Sequence, residues 1–217
     1  MSEGTVLKRI CMRDRVRDEL ITRILDGTYP AGMQLKELTL AREFNVSQAP
    51  VREALRELEG TGLVTSERYR GTRVRGADAL EMRESYELRA MIEARSVERA
   101  APMPPEVLQQ LQASVQAMTQ AARTGGNEAY IDHALRFHRL LVQAGGNGTF
   151  LSVWDSLRWD VRGRIALRHL IRQLDGLEPM LALHAELVAK LRTNDVRGAT
   201  QLVYGILERV AAAFNGR

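Results

Sequence analysis

Between Leu7 and Leu25 the apolar residues Ile10, Val16, Leu20, Ile21, Ile24 and Leu25 fall largely at helical spacing, with arginines between them. This predicts a helix that Gly27 ends, followed by a turn at Tyr29-Pro30-Ala31-Gly32 and a short extended piece at Met33-Gln34-Leu35. A second helix is predicted from about Leu38 to Phe44, with Leu38, Leu40, Ala41 and Phe44 inward. Asn45-Val46 turns the chain and Ser47 is a good N-cap for a third helix. Pro50 lies in that helix's first turn, where its missing N–H does no harm, and Val51, Ala54, Leu55 and Leu58 form its buried face. Gly60 and Gly62 end it, and Leu63 to Arg75 reads as a two-stranded hairpin with an arginine-rich tip. Three helices and a basic hairpin make a winged helix-turn-helix over residues 1–75.

After a short linker, 76–78, the pattern turns almost purely helical. Helices are predicted near Ala79–Ala100, Pro105–Arg123, Glu128–Ala144, Thr149–Leu170, Glu178–Arg192 and Asp195–Phe214, separated by prolines, glycine runs and Thr193-Asn194. Residues 79–217 therefore read as an antiparallel six-helix bundle able to enclose a pocket, and the chain as a whole as mainly α.

Bulk properties change this picture little. The net charge of +4 is a weak pointer to nucleic acid, with 14 basic against 11 acidic residues up to Gly76 and 17 against 16 beyond it. A single cysteine, Cys11, excludes an intrachain disulfide, fits a reducing cytoplasm and reads as a bland surface or interface thiol. Neither a signal peptide nor a run of about 20 apolar residues is present, so the expectation is a soluble, cytoplasmic protein without a membrane partner.

At this level of detail residues 16–75 resemble the winged helix of the GntR transcription regulators. The matching residues are Ile24-Leu25-Asp26-Gly27, Pro30-Ala31-Gly32, Leu35, Glu37, Leu40-Ala41, Val46-Ser47, Pro50 to Leu55, Leu58, Gly62-Leu63-Val64 and Gly71. The helical half resembles the effector (FCD) domain of the FadR-like branch. Its marks are Glu87-Leu88-Arg89 with Glu93, Phe137-His138, Gly146-Asn147, His184, Asn194-Asp195 and Leu207-Glu208-Arg209-Val210. Six helices rather than seven are similar to the shorter, VanR-like subgroup.

The resemblance puts the third helix in the major groove and the hairpin tip on neighbouring phosphates or in the minor groove. Ser47, Gln48, Ala49 and Arg52 form the exposed first turn of that helix, and Arg68, Arg70 and Arg73 are wing candidates for phosphate. Arg52 can bind guanine O6/N7 or a phosphate, and Gln48 either pairs with adenine or is a solvated helix residue. Where the family commonly has Arg and a basic residue, this chain has Leu38 and Gln48, so a different operator and lower phosphate affinity are expected. One such module covers about half of a specific site, which predicts a homodimer paired through the bundle on an imperfect palindrome of duplex DNA.

In many members of this branch the pocket holds a divalent metal bound by one Asp and three His, the first two four residues apart on one helix. His138 and His184 match two ligands, but Ala134 and Ile206 stand at the other two. Asp132 precedes His138 by six positions, roughly 120° round the helix, and is a poor substitute. No metal or other cofactor is therefore expected. His138 and His184 either hydrogen-bond an effector or are satisfied core histidines. Arg89, which the resemblance turns toward the pocket, either binds an effector carboxylate or forms a surface pair with Glu93. Arg158, Arg162, Arg164 and Arg168 on the fourth bundle helix read mostly as solvated, with one of them a candidate to reach the pocket.

The sequence points to a DNA-binding transcriptional repressor controlled by a small effector such as an organic acid. A constitutive regulator with a degenerate pocket is the alternative. A metal-dependent helical enzyme is the weaker one, because no Ser-His-Asp set, no paired carboxylates near His138 and no phosphate loop are found.

Overall fold

Helix α1 (Met12–Leu25) turns Val16 and Leu20 inward and opens the first of two units, Met1–Ala77 and Asp78–Arg217. The structure, a computed structural model, describes residues 11–25, 27–60, 62–67, 71–75 and 78–214. In the first unit α1 and α2 (Glu37–Glu43) both pack on α3 (Gln48–Gly60), whose Val51, Ala54, Leu55 and Leu58 are buried. Arg13 and Arg17 of α1 reach Glu57 of α3 at 3.0 and 3.2 Å and tie the two helices together at the surface. Asn45, in the left-handed conformation that Asn tolerates, makes the tight turn between α2 and α3.

Two sequence expectations change here. Leu38 is 50% exposed rather than inward, because α2 begins at Glu37 and buries only Leu40 and Ala41. The extended piece before α2 becomes a strand, β1 (Gln34–Leu35), which makes the expected hairpin of β2 (Val64–Glu67) and β3 (Gly71–Val74) a three-stranded antiparallel sheet in the order β1-β3-β2. Gln34 pairs with Arg73 and Val64 with Val74, which places the buried Leu35, Val64 and Val74 in one small sheet.

The second unit contains α4 (Ala79–Arg99), α5 (Pro105–Arg123), α6 (Asn127–Ala144), α7 (Gly148–Ser156), α8 (Trp159–Ile171), α9 (Glu178–Arg192) and α10 (Val196–Ala212). Asp78 caps α4 by accepting from the Glu81 N–H at 2.9 Å. α4 lies along α10 and also touches α6 and α7, so its inward face is the spine of the domain core. Among the described residues this unit has seven helices, not six. The stretch expected to run unbroken from Thr149 to Leu170 breaks at Arg158, which adopts a left-handed conformation with φ of 56°. In one continuous helix Trp154 and Trp159 would point about 140° apart. The break brings both indoles inside, with ring centroids 6.2 Å apart. The helix count on which the likeness to the shorter subgroup rests is therefore corrected.

Candidate functional site

The first turn of α3 is the exposed feature of the N-terminal unit. Ser47, Gln48, Ala49 and Arg52 all face solvent, opposite the buried Val51, Ala54 and Leu55. The helix N-terminus adds free N–H groups and a positive dipole end to the same spot. Arg52 is not loose. Its Nε donates to both Glu37 carboxylate oxygens at 3.0 Å, and its Nη2 donates to one of them at 2.8 Å. The Glu37 carboxylate raises the guanidinium pKa above its ordinary value. Sequence reasoning did not assign Glu37 a role, since a partner 15 positions away leaves no local signal. Arg73 sits in β3 and donates to the Gly32 carbonyl at 3.1 Å. The other two wing candidates, Arg68 and Arg70, lie outside the described residues.

The helical unit brings Arg89, His138 and His184 together around a carboxylate. Arg89 and Glu93, one turn apart on α4, are buried, and Arg89 Nε donates to Glu93 at 2.7 Å. His138 of α6 meets the other Glu93 oxygen through Nδ1 at 2.6 Å, and the Trp154 indole N–H donates to Glu93 at 3.0 Å. His184 of α9 donates from Nδ1 to the Met180 carbonyl at 2.7 Å and turns Nε2 toward His138 Nε2 at 3.3 Å. The Arg89 guanidinium also lies over the Trp159 ring, 4.6 Å from its centroid. Of the two open roles for Arg89, its partner is Glu93, but in a buried pair rather than a surface one.

Burial alone would raise the Glu93 pKa, but the neighbouring His138 and Arg89 hold it at about 2. Burial pushes His184 down to about 3, with His138 adding to the effect. Burial also lowers His138, against the pull of Glu93. The cavity beside this cluster, lined by Tyr86, Tyr130, Ala134, Met180 and Ile206 among others, has a volume of about 10 Å³. That is room for one water at most.

The divalent ion of related domains does not fit the residues present. Ala134 and Ile206 line the cavity and offer only carbon, which leaves His138 Nε2 and His184 Nε2, facing each other at 3.3 Å, as two donors where four are needed. No group of three or more potential ligands occurs among the described residues. Arg158, at the start of α8, and Arg162, Arg164 and Arg168 within it do not line the cavity. Arg158 pairs with Asp160, Arg162 with Glu81, Arg164 with Glu128 and Asp132, and Arg168 with Glu128.

The two units correspond to known domains. Residues 12–74 match the gntR family of bacterial regulatory proteins and residues 84–209 match the FCD domain. A Paenarthrobacter nicotinovorans protein named "Probable D-xylose utilization operon transcriptional repressor" is 30% identical over 193 residues, 82% of this chain and 85% of that one. The gluconate operon transcriptional repressor of Bacillus licheniformis is 28% identical over 87% of this chain and 79% of its own. A GntR transcriptional regulator from Rhodococcus sp. RHA1 shares the fold, with a TM-score of 0.75 at 24% identity over 94% of this chain and 99% of its own. The exposed first turn of α3, the sheet behind it and the helical domain that follows thus have one account: the chain belongs to the GntR family of bacterial regulatory proteins and is a transcriptional regulator with an FCD domain.

Proposed function

We propose that this regulator is a cytoplasmic repressor that binds a two-fold operator as a homodimer and releases it on taking up a small organic acid. The observation that carries this is the solvent-facing turn Ser47-Gln48-Ala49 with Arg52, held on a helix whose other face is buried. Repression follows the roles named for its relatives. Arg52→Ala tests the DNA contact directly. Binding to duplexes enriched from a random pool by the wild-type chain is expected to weaken at least about tenfold, with helicity by circular dichroism unchanged. Undiminished binding would remove α3 from the groove.

Pairing is assigned to the helical unit, where α4 leaves Leu80, Leu88 and Met91 exposed at 56%, 39% and 55%. The double substitution Leu88→Glu with Met91→Glu is expected to give a monomer in sedimentation. A variant that stays dimeric puts the contact elsewhere.

The effector site is assigned to Arg89, His138 and His184, with Glu93 yielding its donors to the ligand carboxylate. A second reading, a constitutive regulator with no ligand, is favoured by the 10 Å³ cavity. Thermal shift across a panel of organic acids separates the two: stabilisation by any of them, lost in Arg89→Met, supports the first, and none supports the second.

A further inference from the structure

The ion pair between α2 and α3 has a geometry that bears on which base the protein reads. An arginine presents two donor edges, one made by Nε with Nη2 and the other by Nη1 with Nη2. Glu37 takes the first edge of Arg52 completely, with contacts of 3.0, 3.0 and 2.8 Å. The second edge has no partner among the described residues, and the Arg52 side chain is 53% exposed. The two side chains come from different helices, Glu37 from the first residue of α2 and Arg52 from the first turns of α3.

We infer that Glu37 is a positioning residue that fixes Arg52 so that its outer edge reads a guanine in each operator half-site. This rests on the assignment of α3 to the major groove. Two physical arguments favour guanine over a phosphate as the target. A guanidinium whose charge is largely balanced by a carboxylate contributes little to counterion release, and that carboxylate repels an approaching phosphate. Guanine instead offers two neutral acceptors, O6 and N7, spaced for a two-pronged donor. A braced arginine also gives up less rotamer freedom on binding than a free one, so more of the contact appears as discrimination. An exposed ion pair of this kind does little for folding stability, which leaves orientation as its use.

The test uses the full chain and a randomised duplex pool, with selected sites sequenced for the wild type, Glu37→Gln and Arg52→Ala. The wild type is expected to enrich a two-fold motif with one strongly preferred guanine per half-site. In Glu37→Gln, preference for that guanine is expected to fall about tenfold while the rest of the motif persists. Overall affinity is expected to hold or rise at low salt, and the melting temperature to stay put. Arg52→Ala is expected to lose preference at the same position. An unchanged motif in Glu37→Gln overturns the inference, as does loss of preference in that variant at a position Arg52→Ala leaves intact, which would make Glu37 itself the reader. If Arg52→Ala keeps the full motif, the groove assignment fails as well. If the wild type enriches nothing, DNA reading by this chain fails as a whole.

Discussion

Replacing Glu93 with alanine is expected to destabilise the helical unit by about 3–5 kcal/mol. Its carboxylate accepts from Arg89, Trp154 and His138 and is fully buried. Alanine leaves the Arg89 guanidinium, itself 2% exposed, without a counter-charge. Glutamine keeps the shape but not the charge, so a smaller loss is expected. The double substitution Arg89→Met with Glu93→Leu removes both charges and is expected to recover only the part of the loss due to the unpaired guanidinium, because the buried Trp154 and His138 donors still lack an acceptor. Both tryptophans of the chain, Trp154 and Trp159, lie in this unit, so urea unfolding followed by indole emission reports on it alone. A loss below about 1 kcal/mol for the alanine variant would show that Arg89 finds other compensation. Millimolar acetate is expected to restore part of the stability of Glu93→Ala and to leave the wild type unchanged. Rescue would show that these donors accept a carboxylate from outside the chain, as the proposed effector role requires.

That carboxylate was half legible in the sequence. Arg89 and Glu93 have the i, i+4 spacing of a helical ion pair, but spacing cannot say whether the pair faces water. The decision comes from α6 and α7, which lay His138 and Trp154 over it, and contacts across 45 and 61 positions leave no trace in a local pattern. The buried face of α3 was legible because Val51, Ala54, Leu55 and Leu58 repeat at helical period, and the exposed first turn follows from the same phase. The outward turn of Leu38 leaves no such signal, because a helix of only seven residues is too short for hydrophobicity to fix its phase. The break between α7 and α8 has no signal in the sequence because it falls on an arginine. The glycine nearby, Gly163, lies within α8, where a Cβ would come 2.5 Å from Leu135 Cδ2 and oblige that half-buried side chain to shift.

The same cluster makes the helical unit sensitive to acid. His184 is held at about 3 in the folded protein and returns to about 6.5 when unfolded. Above pH 6.5 both states carry it neutral, and its buried form costs nothing relative to the unfolded chain. As pH falls below 6.5 the unfolded state takes up a proton that the folded state refuses. Stability is then lost at about 1.4 kcal/mol per pH unit until pH approaches 3. His138, lowered by burial, acts in the same direction. Glu93, held at about 2, adds its loss only below its unfolded value near 4.5. Tryptophan-detected urea midpoints are therefore expected to be flat from pH 8 to 7 and to fall steadily from 6.5 to 5, well before ordinary carboxylates titrate. His184→Leu removes one titrating group while keeping the site apolar, and is expected to make that fall shallower by about one proton. A wild-type midpoint that stays level down to pH 5 would mean that the folded domain accepts the proton between the two imidazoles. The 3.3 Å approach of His138 Nε2 to His184 Nε2 would then be a hydrogen bond to an imidazolium, and the cluster a proton site within the working range of the cell.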